Sequence, residues 1–313
     1  MGQWRVLVTG GAGYIGCILV EYLLQMGCKV TVLDNFMFRQ SGLNHLCENK
    51  SLTIVNGDIR NHAHIEPLLK EADLIIPLAA LVGAPLCNKD IVGADTINKD
   101  AMFWMLKNIS NEQRIIMPTT NSAYGTGDEN NFCTEDSPLR PISKYAIDKV
   151  AVEKVLMERE NSISYRLATV FGMSPRMRTD LLVNDLTYRA VNDGYVVIFE
   201  GHFKRNYIHV RDVCEAFLHA LYHFEEMRGQ IYNVGLSSAN VSKLDLCDII
   251  KKHIPNFTVV EGDIKKDPDQ RNYIVSNEKL EATGWKPFHT LDDGVEELIK
   301  GYTYLKNNIY GNV

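Results

Sequence analysis

The stretch RVLVTGGAGYIG, residues 5–16, determines the fold class that we predict for this chain. Its first half is an apolar, β-branched run typical of a buried strand, and a helical apolar pattern begins inside its second half. Between them, Gly10 suits a tight turn, Gly13 lets the backbone approach a diphosphate, and Gly16 lets the helix pack on the strand. A diphosphate would then lie at the N-terminus of the helix, where backbone amides favour an anion.

An acidic residue at the end of the next strand strengthens this interpretation. Asp34 closes the apolar run KVTVLDN, where a carboxylate can accept a hydrogen bond from a ribose 2′-hydroxyl and repels a 2′-phosphate. A glycine pattern alone is weak, and a glycine turn with a capping Asp is the structural alternative. Because strand, turn, helix and acid follow in register, we predict NAD as the cofactor, although Arg39 is close enough to leave NADP open.

The first 172 residues alternate strand patterns with helical ones, whereas the pattern after Gly172 is less regular. Buried β-branched runs that alternate with helices predict an α/β fold, a doubly wound parallel sheet of the Rossmann type. We therefore predict an NAD-binding domain over residues 1–172 and a smaller C-terminal α/β lobe for the substrate over residues 173–313. Residues 205–235, with the runs RNYIHV and IYNVG, are predicted to return to the main sheet.

Composition and charge narrow the class of protein. The chain has 313 residues, 45% of them hydrophobic, and a net charge of −6, which gives no general attraction to nucleic acid or to an anionic membrane. No apolar run reaches the ~18 residues of a membrane helix, and no signal peptide is recognisable. The seven cysteines are scattered without metal-ligand spacing. We therefore expect free thiols, a cytoplasmic location and no metal site.

Two further segments carry candidate chemistry. Tyr145 and Lys149 are four residues apart in a helical pattern and so share a face. An ammonium beside a phenol stabilises the phenolate and lowers the tyrosine pKa from ~10 toward neutrality, where it can act as a general base. The segment TTNSAYG, residues 119–125, places four polar residues after the apolar run RIIMP. Its simplest interpretation is a turn whose hydroxyls cap their own backbone.

Taken together, these motifs resemble the extended short-chain dehydrogenase/reductases that act on nucleotide sugars, over essentially the full chain. The shared motifs are GGAGYIG, the acid at Asp34, GDIR, TTNSAYG, YAIDK, RNYIHVRDV and GWKP. The resemblance implies that Tyr145 is the base, that Lys149 is its electrostatic partner and that Thr120 hydrogen-bonds the reacting sugar hydroxyl. We further expect a homodimer or a higher homo-oligomer.

The remaining candidate residues fall into two groups. Asp58 ends the third strand, where it can accept from an adenine amino group or cap a helix. Arg205 matches the diphosphate-binding arginine of the family, and an arginine fork suits phosphate oxygens. The residues that we expect to bind the cofactor are Gly10, Gly13, Tyr14, Ile15, Gly16, Asp34, Asn35, Asp58, Ile59, Ala79, Ala80, Asn98, Tyr145 and Lys149. Those that we expect to bind the nucleotide sugar are Ser122, Arg176, Arg178, Asn184, Arg205 and Arg271, with a solvated surface position the alternative for any one arginine.

Asn121 and Ser122 narrow the reaction. The sugar 4,6-dehydratases that resemble this chain carry Asp-Glu, or at least Glu, at these positions, and the related decarboxylases usually carry Glu. Asn and Ser cannot abstract and return a proton near neutral pH, so elimination and decarboxylation are both disfavoured. Pro77 and Leu78 replace residues usual in the plain UDP-galactose 4-epimerases, which disfavours that assignment as well.

We therefore predict NAD-dependent oxidation at carbon 4 of a GDP- or UDP-linked sugar. The segments PLAALVGAPLC, TNSAYG and SPRMRTDLLVND resemble the heptose-modifying branch, the GDP-D-glycero-D-manno-heptose 4-dehydrogenases of bacterial capsule biosynthesis. The alternative is a 4-epimerase of the UDP-glucose/galactose type. A non-catalytic NAD-sensing protein of the same fold is disfavoured, because Thr120, Tyr145 and Lys149 are all present.

Overall fold

The structure is a computed structural model, and it describes residues 4–39, 41–126, 132–262 and 272–305. The described strands are β1 (Arg5–Thr9), β2 (Lys29–Asp34), β3 (Leu52–Asn56), β4 (Leu74–Pro77), β5 (Arg114–Thr120), β6 (Ser162–Leu167), β7 (Thr169–Phe171), β8 (Tyr195–Ile198), β9 (Lys204–His209), β10 (Gln230–Val234), β11 (Asn240–Ser242) and β12 (Thr258–Glu261). The described α-helices are α1 (Gly16–Gln25), α2 (His62–Glu71), α3 (Ala84–Lys89), α4 (Ile91–Ala94), α5 (Ala101–Asn108), α6 (Lys144–Leu156), α7 (Leu182–Asn192), α8 (Val210–Tyr222), α9 (Phe224–Met227), α10 (Lys243–His253), α11 (Glu278–Glu281) and α12 (Leu291–Tyr302). Short 3-10 helices cover Asn44–Leu46 and Asn121–Tyr124, and a π-helix covers Asp95–Asp100.

Seven strands form one parallel sheet in the order β10-β6-β5-β4-β1-β2-β3. This confirms the predicted α/β fold of the Rossmann type. Strand order reverses at β1, which has β2 on one side and β4 on the other. In such sheets a ligand binds in the crevice beyond the carboxyl ends of the strands at this switch point. The glycine turn follows β1 directly, so the fold places it at that crevice.

Helices cover both faces of the sheet. Alternate residues of the buried strands point to opposite sides, so a strand such as β1 contributes to two buried clusters. Val6 and Val8 belong to one buried cluster, which also contains residues of α1 and α8. Leu7 belongs to the other, together with residues of α2, α5 and α6. The rigid two-sided core therefore holds the carboxyl ends of the strands in fixed relative positions.

The C-terminal part contributes to more than one sheet. β10 is the edge strand of the seven-stranded sheet, parallel to β6. The prediction that RNYIHV also returns to the main sheet is wrong, because β9 pairs parallel with β7 and antiparallel with β11 in a separate three-stranded sheet. The short run does not indicate which sheet it joins, so only its tertiary partner decides. β7 begins two residues after β6 ends and provides that partner.

The cysteines and the helices bear on two expectations from composition, free thiols and the absence of a membrane helix. All seven cysteines carry free thiols. Of the helices in the described ranges, none has the length and apolarity needed to cross a membrane.

Candidate active site

The glycine turn has a backbone that other residues would not fit. Gly10 has a φ of +69°, and its N–H donates to the Leu33 carbonyl at 2.8 Å. A Cβ on Gly10 would lie 2.5 Å from the Ala79 nitrogen, and a Cβ on Gly16 would lie 2.6 Å from the Gly10 oxygen. Within the described residues, no side chain caps the N-terminus of α1. The turn therefore presents open backbone at a helix N-terminus, as a dinucleotide diphosphate requires.

Asp34 connects two backbone segments that line the same crevice. One carboxylate oxygen accepts from the Ala12 N–H at 3.0 Å and the other from the Phe36 N–H at 2.8 Å. Burial raises the pKa of the Asp34 carboxyl, and these two amides oppose the rise. Because each carboxylate oxygen has further acceptor capacity, Asp34 can bridge the glycine turn and the segment after β2 and still accept from a ribose hydroxyl.

A cavity of about 100 Å³, here called the cofactor cavity, lies beside this turn. Its lining includes eight of the residues predicted to bind the cofactor: Gly10, Gly13, Asp34, Asn35, Asp58, Ile59, Ala79 and Ala80. A glycine turn without Cβ atoms, an uncapped helix N-terminus and an acid beside it fit NAD.

Two of the predicted cofactor residues are engaged with the protein itself. Asp58 accepts from Arg60 Nε at 2.9 Å and Nη2 at 2.6 Å, which lowers the pKa of the Asp58 carboxyl. The alternative that Asp58 caps α2 is wrong, because Asn61 accepts from the Ala63 N–H and fills that position. Asn98 accepts from the Leu81 N–H at 2.8 Å and donates to the Leu81 carbonyl at 2.9 Å. Asn98 thus fixes the chain after β4.

A second cavity of about 420 Å³, here called the substrate cavity, adjoins the first and shares Gly10, Gly13 and Ala80 with it. The predicted catalytic residues Thr120, Tyr145 and Lys149 all line it. Of the other predicted residues, the lining includes Tyr14, Ile15, Gly16, Ser122, Arg176, Arg178 and Arg205. The fold therefore brings together, at one crevice, residues as far apart in the chain as Gly10 and Arg205.

Lys149 is a buried cation on the wall of the substrate cavity. Its side chain is part of a residue only 3% exposed, and Nζ donates to the Pro118 carbonyl at 3.1 Å. Nζ lies 6.0 Å from the centre of the Tyr145 ring. Burial lowers the pKa of the Lys149 ammonium to about 8. The charge is therefore present at neutral pH, close enough to the phenol to favour its ionised form.

The turn after β5 combines both interpretations of TTNSAYG. Thr120 Oγ1 accepts from the Ser122 N–H at 3.1 Å and donates to Ser122 Oγ at 3.0 Å, so it caps the 3-10 helix. Thr120 and Ser122 also line the substrate cavity. Thr119 lines the same cavity, and its hydroxyl donates to Glu153 at 2.9 Å. Asn121 is 1% exposed, and neither side-chain atom has a hydrogen-bond partner among the described residues.

The predicted substrate residues differ in their surroundings. Arg178 forms an ion pair with Asp180 at 2.5 Å, and both residues line the substrate cavity. Arg205 is buried in β9 and lines the same cavity. Asn184 accepts from the Gly172 N–H at 3.0 Å and donates to Tyr14 and to the Arg178 carbonyl, so it positions neighbouring backbone. Arg271 lies outside the described residues.

Several lining segments escaped the sequence interpretation. Residues 82–86 and 167–170 line the substrate cavity, as do Leu181 and Leu182. Residues 82–86, Leu181 and Leu182 lie in the segments that resemble the heptose branch, but their apolar side chains carry no separate signal of a binding site. Ser143 also lines the cavity, and it accepts from the Ala146 N–H as the N-cap of α6. A serine before the helical pattern of α6 is a recognisable capping signal.

The fold and the site define a dinucleotide-binding enzyme in which a tyrosine and a buried lysine face the substrate cavity. The chain belongs to the NAD-dependent epimerase/dehydratase family, whose model matches residues 6–235. It is an enzyme of this family, and its cofactor is NAD.

Individual relatives share the whole fold at low identity. The low-salt glycan biosynthesis protein Agl12 of Haloferax volcanii is 29% identical over 95% of this chain and 98% of its own length. The putative UDP-glucose 4-epimerase of Methanocaldococcus jannaschii is 27% identical over 97% of this chain and 99% of its own length. The structure of UDP-glucuronic acid 4-epimerase from Bacillus cereus, in complex with UDP-glucuronic acid and NAD, is similar with a TM-score of 0.86. It is 24% identical and the match covers 96% of this chain and 99% of that one, which establishes a common fold.

Proposed function

We propose that the enzyme oxidises carbon 4 of a nucleotide-activated sugar. The observation that carries this proposal is the placement of Thr120, Tyr145 and Lys149 on one cavity that adjoins the cofactor cavity. A base, a cation beside it and a hydroxyl donor are the groups that the oxidation of a secondary alcohol needs. The names of the relatives, which include sugar epimerases, support a nucleotide sugar as the substrate.

Each residue has a defined role in this proposal. NAD, when bound, accepts the hydride that leaves carbon 4. Tyr145 takes the proton of the 4-hydroxyl, and the Lys149 ammonium stabilises the phenolate that must exist beforehand. Thr120 orients the hydroxyl. Arg205 binds the diphosphate from its buried position near the start of β9, where its fork can meet two phosphate oxygens.

The acidic residues around the substrate cavity argue against elimination. Among the described lining residues, the carboxylates are Asp180 and Asp185. Asp180 forms an ion pair with Arg178, and Asp185 forms one with Arg189. The turn after β5 carries Asn121 and Ser122 in place of carboxylates. A 4,6-dehydratase needs a carboxylate there to move the proton of carbon 5, so we exclude that reaction from the proposal.

Two outcomes of the oxidation are open to the same site. In a 4-dehydrogenase the keto-sugar leaves, and the resemblance of the segments around Pro77 and Arg176 to the heptose branch favours GDP-D-glycero-D-manno-heptose as its substrate and capsule biosynthesis as its context. In a 4-epimerase the keto-sugar rotates within the site and is reduced on its other face. The names of the relatives favour this second outcome at least as well.

Mass spectrometry of the nucleotide that copurifies with the chain, followed by turnover of that sugar, tests the proposal. We expect a GDP- or UDP-linked sugar and a product altered at carbon 4. Net formation of NADH with a 4-keto product identifies a dehydrogenase, and a 4-epimer without net NADH identifies an epimerase. A copurifying ligand that is not a nucleotide sugar, with no turnover of any such sugar, contradicts the proposal.

We also propose that the enzyme is cytoplasmic and that it forms a homodimer or a higher homo-oligomer. Free thiols throughout the chain agree with a reducing compartment. Gel filtration with light scattering determines the oligomeric state directly.

A further inference from the structure

Arg176 lies where the two cavities meet. It belongs to the segment between β7 and α7, it is 2% exposed, and it lines both the cofactor cavity and the substrate cavity. Arg178 and Arg205 line the substrate cavity and do not appear in the lining of the cofactor cavity. The position of Arg176 thus differs from that of the two arginines with which the sequence pattern groups it.

The contacts of Arg176 are with the segment that follows Asp34. Its guanidinium carbon lies 4.3 Å from the centre of the Phe38 ring, a cation–π contact. A Cβ on Gly42 would lie 3.0 Å from the Arg176 Cβ, so this part of the chain packs directly against the arginine. Phe38 itself lines both cavities. The chain after β2 therefore holds the guanidinium at the wall of the cofactor cavity.

The charges around Arg176 also point to the cofactor. The described cations on the wall of the cofactor cavity are Arg176 and Arg39, and Arg39 is exposed. Asp34 and Asp58 are on the same wall, and Arg60 already forms an ion pair with Asp58. Arg176 is therefore the buried cation placed to offset Asp34 and a bound diphosphate. Burial and the neighbouring Arg178 lower the pKa of Arg176 to about 10, which leaves it charged at neutral pH.

We infer that Arg176 is a cofactor-binding residue, which binds an anionic part of NAD from the wall between the cavities, and that it does not bind the diphosphate of the sugar nucleotide. The inference concerns the cofactor of the family and is independent of which sugar is oxidised. On this inference Arg176 does not belong with Arg178 and Arg205 among the residues expected from the sequence to bind the nucleotide sugar.

Binding measurements on the full chain test this assignment. NADH is titrated by fluorescence, and UDP and GDP are titrated by calorimetry, with wild type, Arg176→Met and the matched control Arg205→Met. Loss of a charge-assisted phosphate contact weakens binding by about tenfold or more. We expect Arg176→Met to weaken NADH by that factor and to leave the nucleotide within about twofold of wild type. Arg205→Met should do the reverse.

Two milder variants keep the test decisive if Arg176→Met does not fold. Phe38→Leu removes the ring under the guanidinium and should weaken NADH by roughly two- to fivefold. Arg176→Lys keeps the charge without the planar fork and should retain part of the NADH affinity. Both should leave UDP and GDP binding unchanged, and circular dichroism checks that each variant is folded.

Unchanged NADH affinity in Arg176→Met, or a loss for UDP and GDP that equals or exceeds the loss for NADH, overturns the inference. With the milder variants, the same two results overturn it. If neither UDP nor GDP binds to wild type, the proposed function fails, but the NADH comparison still decides the role of Arg176.

Discussion

Tyr145 lines the substrate cavity, and the Lys149 ammonium lies 6.0 Å from the centre of its ring. Tyr145→Phe removes only a hydroxyl, so we expect NADH and nucleotide binding to persist while turnover falls by ~10²–10⁴. Steady-state kinetics and the binding titrations measure the two effects separately.

Tyr165→Phe is a matched control for this prediction. The Tyr165 hydroxyl is buried and donates to the Ala216 carbonyl at 2.9 Å, away from the lining of either cavity. We expect this control to lose about 1 kcal/mol of unfolding free energy and little activity. Activity of Tyr145→Phe within a few-fold of wild type would mean that another group takes the proton.

Lys149 combines the catalytic role that we propose for it with a cost in stability. Below pH 8 its ammonium is charged in both the folded and the unfolded chain, and burial destabilises the fold. Between pH about 8 and its ordinary pKa of 10.5, the unfolded chain still holds a proton that the folded chain has released, so stability rises with pH. Above that range the group is neutral in both states and contributes nothing.

Lys149→Met should therefore abolish most activity and stabilise the cofactor-free chain at pH 7 by roughly 1–3 kcal/mol. The rise in stability between pH 8 and 10.5 should become smaller by the contribution of this group. Urea unfolding at several pH values measures both quantities. A variant that is less stable than wild type at pH 7, with an unchanged dependence on pH, contradicts this account.

Lys144→Met provides the contrast, since Lys144 lies on the same helix and forms ion pairs with Asp148 and Asp95. Asp148 is buried, so removal of its cation leaves an uncompensated carboxylate. We expect Lys144→Met to destabilise the chain at pH 7.

At the scale of elements, the packing of helix α6 against strand β5 brings the proposed catalytic residues together. Tyr145, Lys149 and Glu153 follow each other at intervals of four and share one face of α6. Lys149 donates to Pro118, and Glu153 accepts from Thr119, so two side chains of α6 hold the end of β5. Thr120, the next residue, lines the same cavity as Tyr145.

Glu153 is also half of a buried ion pair. Its carboxylate accepts from Arg166 Nη2 at 2.6 Å and from Ser164 Oγ at 2.7 Å, and the whole residue is buried. Glu153→Gln leaves the Arg166 guanidinium without its counter-charge, so we expect a loss of about 3 kcal/mol or more in unfolding free energy. We also expect kcat to fall more than KM rises, because the substrate cavity itself does not include Glu153.

The double variant Glu153→Leu, Arg166→Met removes both charges and is the control for this pair. We expect it to be more stable than Glu153→Gln, because no buried charge is left unpaired. If Glu153→Gln unfolds within about 0.5 kcal/mol of wild type, the ion pair does not anchor α6.

At the scale of the whole molecule, the site needs both parts of the chain. The cofactor cavity lies at the ends of β1, β2 and β4, while the substrate cavity adds residues of β5, α6, α7 and β9. An elimination in this cavity would need a carboxylate that is free to move a proton, so the contacts of the lining carboxylates limit the possible reactions. Those of the described lining are both engaged in ion pairs, as noted above.

The enzyme should accordingly never form a 6-deoxy-4-keto sugar. Incubation with its nucleotide sugar in D₂O should introduce no deuterium at carbon 5 through elimination, because no carboxylate is placed to move that proton. NMR and mass spectrometry of the product measure this, and a 4,6-dehydratase treated in parallel shows that the assay detects exchange. A 6-deoxy product would overturn the role that we give to Asn121 and Ser122.

Some properties of this enzyme follow from local sequence. The strand, the glycine turn at Gly10 and the acid at Asp34 predict the Rossmann fold and NAD, because only certain residues tolerate that backbone and that contact. The spacing of Tyr145 and Lys149 predicts a shared helix face, since a helix repeats every 3.6 residues. Such features depend on a few adjacent residues, so the sequence alone is sufficient for them.

Other properties depend on which distant segments meet. The sequence interpretation places β9 in the main sheet, yet β9 pairs with β7 and β11. Asn98 and Asn184 look like ligand-binding residues, but their amides hold the backbone at Leu81 and Gly172. Arg176 and Arg178 are neighbours in one motif, and packing against Phe38 places only the first on the cofactor side. Hydrogen bonds and packing between residues far apart along the chain decide these positions, and no local pattern encodes their partners.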